Sequence, residues 1–303
     1  MSALHEVAPG IHAWVQPDGS WWLNNAGVVH SGSDVVLIDT CATRKRTALF
    51  LDAVATATDG GLLKMAVNTH LHGDHMYGNA LLPDSTVIVS QTLTRDGILA
   101  DFLLANTPPI WSPTPDWGIS AVRAPTVTFD SAMTLYAGDV AVLVQHPGYT
   151  AHTVGDAIAW VPSAAVLFTG DLVFHQVTPL VFMGSVAGAL KALDWLRTFP
   201  AAHVVPGHGP LLTGEEFGPV LDFHARYYRF IQSTAQSGLD RGLTPLQAAQ
   251  EATLGEFKDL PDQERIVLNL HRAYAEATNT EMNLVASLTD AITYNGGPLH
   301  CAL

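Results

Sequence analysis

Cysteine is nearly missing from this chain: Cys41 and Cys301 are the only two in 303 residues, and they stand far apart. Two thiols so placed form no disulfide framework. They read as free thiols of a reducing cytoplasm, with a single disulfide as the open alternative. Basic residues are scarce as well: 14 Lys and Arg face 28 Asp and Glu, a formal net charge of −14. That balance argues against a polyanion as main partner, and therefore against nucleic acid. The local groups Arg44-Lys45-Arg46 and Arg226/Arg229 read as solvated faces. No apolar run approaches the length of a bilayer span, and no basic segment followed by an apolar core opens the chain. A cytoplasmic protein with no membrane partner and no signal peptide is expected. Low-complexity stretches and linkers are also lacking.

What is present is a globular composition, 48% hydrophobic with a mean hydropathy of +0.20, enough chain for a sizeable core. Residues 1 to about 40 read as strands, with Gln16-Pro17-Asp18-Gly19-Ser20 as a hairpin turn between Gly10–Val15 and Leu23–His30. A buried strand at Val35–Ile38 ends in Asp39. Thr43–Ala57 has helical composition, and Leu62–Asn68 is the next strand. Thr86–Ser90, a helix from about Thr92 to Ala105, and a proline-rich loop Thr107–Gly118 follow. That loop carries Trp111 and Trp117, which belong either to a lid or to the core. Strands return from Thr126 to Thr169, then an amphipathic helix Val186–Phe199 and a last short strand His203–Val205. From about Gly214 the chain turns helical, and Thr244-Pro245-Leu246-Gln247 is a capped helix start. The order is that of an α/β core over 1–213 and a helical C-terminal extension over 214–303, packed on the same domain.

Chemistry concentrates directly after the strand Leu62–Asn68. Thr69-His70-Leu71-His72-Gly73-Asp74-His75 packs three imidazoles and a carboxylate into one turn of chain. Imidazole nitrogen and carboxylate oxygen suit zinc, iron or manganese. A polar loop merely rich in histidine would have no such flanks, so this is read as a metal site. Three later places share the layout of strand, Gly or Pro turn, then ligand-type side chain: His152 after Val140–Gln145, Asp171 after Val166–Thr169, and His208 after Val204-Val205.

His70-x-His72-x-Asp74-His75, followed by His152, Asp171 and His208 in that order, resembles the metallo-β-lactamase superfamily over about residues 5 to 212. The resemblance implies a four-layer αβ/βα sandwich. It implies two divalent metal ions, Zn²⁺ by expectation: the first on His70, His72 and His152, the second on Asp74, His75 and His208, with Asp171 bridging. Asp39 matches an acidic position behind the site that orients ligands. His152, followed by Thr153 and by Gly155-Asp156, fits the family motif, whereas His146 is left as a surface histidine. The implied chemistry is attack by a metal-bound hydroxide on a polarised carbonyl, with Asp74 guiding the water or shuttling a proton. Cys41 is read as a small buried filler.

Within the superfamily, oxygen-reducing members carry Glu at the place of His72, zinc β-lactamases carry a different residue at the place of Asp171, and nucleases add a domain and basic surface. The strings Gly184-Ser185-Val186-Ala187-Gly188, Leu243–Ala249, Asn269-Leu270-His271-Arg272-Ala273-Tyr274 and Tyr294-Asn295-Gly296-Gly297 are similar to lactamase-fold cyclases of aromatic polyketide pathways, of the actinorhodin second-ring type. That implies a cyclase and thioesterase acting on a polyketide acyl substrate, with an acyl carrier protein as partner. Trp21, Trp22, Trp111, Trp117, Phe174, His175 and Phe182 would surround the pocket, though each aromatic residue also fits a plain core role. The rival expectations are a general hydrolase of small thioesters or lactones, and a non-enzymatic binding protein. The helical tail offers a surface for a homodimer contact.

Overall fold

The computed structural model describes residues 2–303. Along the first half run strands β1 (Ala3–Ala8), β2 (Ile11–Val15), β3 (Ala26–Ser31) and β4 (Asp34–Ile38), helix α1 (Arg44–Ala57), β5 (Leu62–Asn68), the short helix α2 (Gly73–Met76), β6 (Val87–Gln91), α3 (Thr92–Leu99), β7 (Trp111–Ser112) and β8 (Val127–Phe129). The second half holds β9 (Ala132–Ala137), β10 (Val140–Gln145), β11 (Ile158–Val161), β12 (Val166–Phe174), α4 (Val186–Leu196), β13 (His203–His208) and β14 (Leu212–Thr213). The tail adds α5 (Gly214–Asp240), α6 (Pro245–Glu251), α7 (Arg265–Thr278), α8 (Leu284–Asn295) and β15 (Leu299–His300).

Two large sheets result, in the orders β1-β2-β3-β4-β5-β6-β8 and β14-β13-β12-β11-β10-β9, with a third, two-stranded sheet of β15 and β7. Strands β4 and β12 are buried along nearly their whole length, as continuous Val/Ile/Leu runs covered on both faces should be. Between the sheets lies one core layer, with Val29, Val36 and Val67 facing Val144, Ala159 and Phe168. Phe50 and Val54 of α1 close the outside of the first sheet. Leu193 of α4, Tyr228 of α5 and Leu268 of α7 close the second, in a cluster shared with Leu167 and Val173 of β12. The layers are therefore helix, sheet, sheet, helix, the expected αβ/βα sandwich, with the helical tail on its second face.

Strand direction explains where chemistry collects. β4, β5, β6 and β8 are parallel. β10 and β12 are each antiparallel to β11, and β13 is parallel to β12. The carboxyl ends of β4, β5, β10, β12 and β13 thus reach one rim, where open α/β sheets bind their ligands.

Three expectations need correction. The Asp-Gly turn does not close a tight hairpin: β2 pairs with β3 only from Ala26 on, and residues 16–25 fold back as a loop over the rim. Asn25 donates from Nδ2 to the carbonyls of Pro206 and Gly209, contacts no local turn rule reports. The helix expected to reach Ala105 stops at Leu99, where Ala100 caps α3. The proline-rich loop contains β7, which pairs with β15 at the far end of the chain.

Candidate metal centre

The first rim segment is built by β5. Asn68 is its last residue, and the chain then turns into α2, placing buried His70, Asp74 and His75 and half-buried His72 in a single turn. Asp39, just past the neighbouring β4, sits at φ 61°, a left-handed conformation that Asp tolerates. There its Oδ1 accepts from the Thr69 amide at 2.7 Å, and its Oδ2 from the Thr69 hydroxyl at 2.7 Å and His75 Nδ1 at 2.8 Å. From the second sheet, Asp171 lies inside β12, which runs on past Thr169 to Phe174, at a break in its pairing with β13. Gly207 is required beside it: a Cβ there would overlap Asp171 Oδ1.

The seven side chains converge as two groups, His70/His72/His152/Asp171 and Asp74/His75/His208, each with ligand atoms within 4.8 Å of one another. His72 Nδ1 is 3.2 Å from His70 Nε2 and 2.9 Å from His152 Nε2. Asp171 touches both groups, with Oδ2 3.4 Å from His152 Nε2 and 3.3 Å from His208 Nε2, and Oδ1 3.1 Å from His75 Nε2. Asp74 Oδ2 is 3.2 Å from His208 Nε2.

Whether a cation fits follows from the outward nitrogens. His75 Nδ1 faces Asp39, His152 Nδ1 faces the Leu180 carbonyl at 2.7 Å, and His208 Nδ1 faces the Gly19 carbonyl at 2.8 Å. Each acceptor fixes a proton on Nδ1, leaving the Nε2 lone pair aimed inward. His70 Nδ1 meets the Thr69 hydroxyl at 3.0 Å, whose own proton goes to Asp39. Inward, His75 Nε2 and Asp171 Oδ1 are buried and face each other at 3.1 Å without hydrogen-bond geometry, and neither has another partner among the described residues. Converging lone pairs and orphaned acceptors are what divalent cations neutralise, so the donor set fits metal.

Charge in the cluster is strongly coupled. Burial would raise Asp171, but His208, His75 and His70 hold it well below the usual carboxylate range. Burial likewise works against Asp74, which His75 and His208 nevertheless lower. Burial would lower His208, yet Asp171 and Asp74 raise it to about 9. Burial takes His70 well down and His72 to about 3.

A cavity of about 210 Å³ opens on this cluster. Trp21, Trp22, Trp111, Phe174 and Phe182 line it, together with His72, Asp74, Asp171 and His208. Trp117 and His175 do not. Trp117 packs a layer behind, 4.6 Å from the Trp22 ring, and His175 turns its Nδ1 to the Pro210 carbonyl. His146 also stays outside, its Nδ1 on the Asp156 carbonyl at 2.6 Å. Cys41 and Cys301 are buried and free, and burial pushes the Cys41 thiol up, away from reactivity. Sequence reasoning missed Met183, Arg265, Leu284 and Leu288 in the cavity wall. The last three belong to tail helices, where nothing local distinguishes a pocket position from a core position.

An αβ/βα sandwich with a His/Asp cluster at the carboxyl ends of its strands defines a class of metal-dependent hydrolases. The model of the metallo-beta-lactamase superfamily matches residues 19–208, and the chain belongs to that superfamily. Among solved structures, the stereoselective inverting sec-alkylsulfatase Pisa1 from a Pseudomonas species matches with a TM-score of 0.71 at 17% identity, over 95% of this chain and 52% of its own. The chain thus spans about half the length of that enzyme. A metallo-beta-lactamase from Pontibacter korlensis matches with a TM-score of 0.59 at 21% identity, over 76% of this chain and 99% of its own. The protein TMB-1 matches with a TM-score of 0.58 at 19% identity, over 75% of this chain and 97% of its own. At these identities the likeness is one of fold. No helix among the described residues is long and apolar enough to cross a membrane.

Proposed function

We propose that this enzyme is a dinuclear zinc cyclase and thioesterase acting on an acyl-carrier-bound aromatic polyketide. One observation carries the reading: the wall of the cavity is aromatic and its floor is the His/Asp cluster. A flat acyl group stacked between Trp21, Trp22, Phe174 and Phe182 would present its carbonyl directly to that floor.

In this reading His70, His72 and His152 would hold the first metal and Asp74, His75 and His208 the second, with Asp171, which lies against both groups, serving both. When bound, the two cations supply Lewis acidity, which polarises a carbonyl and acidifies water. The protein does the rest. Asp74 lines the cavity with its Oδ2 3.2 Å from His208 Nε2, where its carboxylate would orient an incoming water and take up its proton. The tryptophan wall keeps bulk water from the reacting carbonyl. Asp39 fixes the tautomer of His75 and, through Thr69, the ring of His70. Ring closure needs the same elements, with a proton leaving carbon in place of water.

A second reading, hydrolysis of small thioesters or lactones without a carrier, draws on the surface. Arg46 is spent on Gln16 and the Ala302 carbonyl, and Arg226 on Glu256. Each of the two basic groups, Arg44-Lys45-Arg46 and Arg226/Arg229, thereby has one fewer free charge to offer an acidic carrier. The deciding experiment is product analysis on zinc-loaded protein, offered a pantetheine-bound bicyclic polyketide, a lactone, S-acyl glutathione and a secondary alkyl sulfate. The cyclase reading expects ring closure and thioester release from the first. Turnover of the lactone alone contradicts it.

A further inference from the structure

The segment from Thr178 to Ala187 is largely buried and, up to Ser185, lies outside regular secondary structure. Buried irregular backbone must find partners, and α7 supplies them from one stripe of side chains. Arg265 Nη1 donates to the Thr178 carbonyl at 2.9 Å. Asn269 donates from Nδ2 to the Pro179 carbonyl and accepts on Oδ1 from the Val181 amide, both at 2.8 Å. Arg272 Nε donates to the Phe182 carbonyl at 2.9 Å. Glu276 Oε1 accepts from the Val186 amide at 2.7 Å. Positions 265, 269, 272 and 276 follow the helical repeat and so share one face.

That same segment holds two rings of the first group. The Leu180 carbonyl accepts from His152 Nδ1 at 2.7 Å. The Phe182 ring stacks on His72 at 5.9 Å and 18°, and Met183 Sδ lies 3.3 Å from His72 Nε2. The other rings take their outer partners elsewhere: His70 from Thr69, His75 from Asp39 and His208 from Gly19. Arg265 also lies 5.6 Å from the Phe174 ring, which stacks on His208; the hydrogen bonds of Asn269, Arg272 and Glu276 bear on the segment that holds His72 and His152.

We propose that α7, which lies outside the residues matched by the family, is the positioning element of the first metal. Its stripe fixes the segment 178–187, the segment fixes the rings of His152 and His72, and the C-terminal tail thereby sets first-site affinity without contributing a ligand. Arg265, Asn269, Arg272 and Glu276 are positioning residues. This inference rests on the two-metal reading of the site and is independent of the substrate.

The test uses the full chain in zinc titrations against a chromophoric chelator, with cobalt(II) spectra and melting curves of the metal-free proteins. The cobalt band lost in His152→Ala assigns the first site. Asn269→Leu is expected to bind the first zinc about ten- to a hundredfold more weakly, the range of outer-sphere orienting groups, with the second site unchanged. Glu276→Ala, at a half-buried position, should weaken the same site, and Glu276→Gln, which keeps the acceptor for the Val186 amide, should restore it. Ile266→Ala, a cavity on the same helix, should lower the melting temperature and leave both affinities alone. A wild type that takes up no zinc overturns the metal reading itself. If the wild type takes up two, then Glu276→Ala indistinguishable from wild type, equal losses at both sites, or first-site loss that tracks melting temperature in Ile266→Ala, overturns the positioning role of α7.

Discussion

At the scale of single residues, the centre depends on where protons and lone pairs point. Asp39 contributes no inward atom, yet it accepts from His75 Nδ1, the Thr69 amide and the Thr69 hydroxyl. Removing it frees the His75 ring to rotate and to change tautomer. Asp39→Ala is expected to weaken metal binding about ten- to a hundredfold, read by chelator competition, with the larger effect on the site that contains His75. The inward residues were legible because their signals are local. His70 to His75 is one string, and His152, Asp171 and His208 each follow a strand and a Gly or Pro turn. The outer partners were not legible. Leu180 and Gly19 act through backbone carbonyls, which every residue type carries, so no side-chain pattern marks them.

At the scale of elements, the helices report their own ends. Thr213 with Glu216 and Thr244 with Gln247 form capping boxes on α5 and α6, the second read directly from the sequence. The loop of residues 16–25 was misread because Asp-Gly signals a turn but says nothing of the tertiary contacts that draw Asn25 to Pro206 and Gly209. One element carries a pH-dependent contribution. His224 of α5 is fully buried, accepts the Phe174 amide on Nε2 and faces the Val220 carbonyl with Nδ1, so it is neutral. Burial drives its pKa from 6.5 down to about 4. With the folded value depressed, the unfolded chain takes the proton first. The stability this residue provides is therefore full above pH 6.5 and lost as pH falls toward 4, by roughly 3 kcal/mol at most. Denaturant melts of wild type and His224→Gln between pH 7 and 4 check this. The difference between the two proteins should narrow as pH falls, and a constant difference would contradict it.

At the scale of the molecule, the four layers were legible as a strand order, because parallel central strands write themselves as continuous apolar runs. What the order did not reveal is the part played by the tail. Leu284 and Leu288 of α8 and Arg265 of α7 wall the cavity, and β15 pairs with the loop that carries Trp111. These contacts join residues more than a hundred positions apart, beyond the reach of any local pattern. The extension is thus part of the site and not an appendage to it. A molecule with 14 Lys and Arg against 28 Asp and Glu is poorly suited to polyanions, and the proposed acyl substrate would sit in the apolar cavity above the His/Asp cluster.

The proposed two-metal centre that drives hydrolysis is tested most directly by one measurement. The chelator-stripped protein is titrated with zinc while bound metal and cleavage of an aromatic acyl thioester are followed together. Uptake of two equivalents per chain, with turnover absent at the start and rising to its plateau as the second is filled, is the predicted result. Saturation at one equivalent or none, or thioester cleavage by the stripped protein at the same rate, would contradict it.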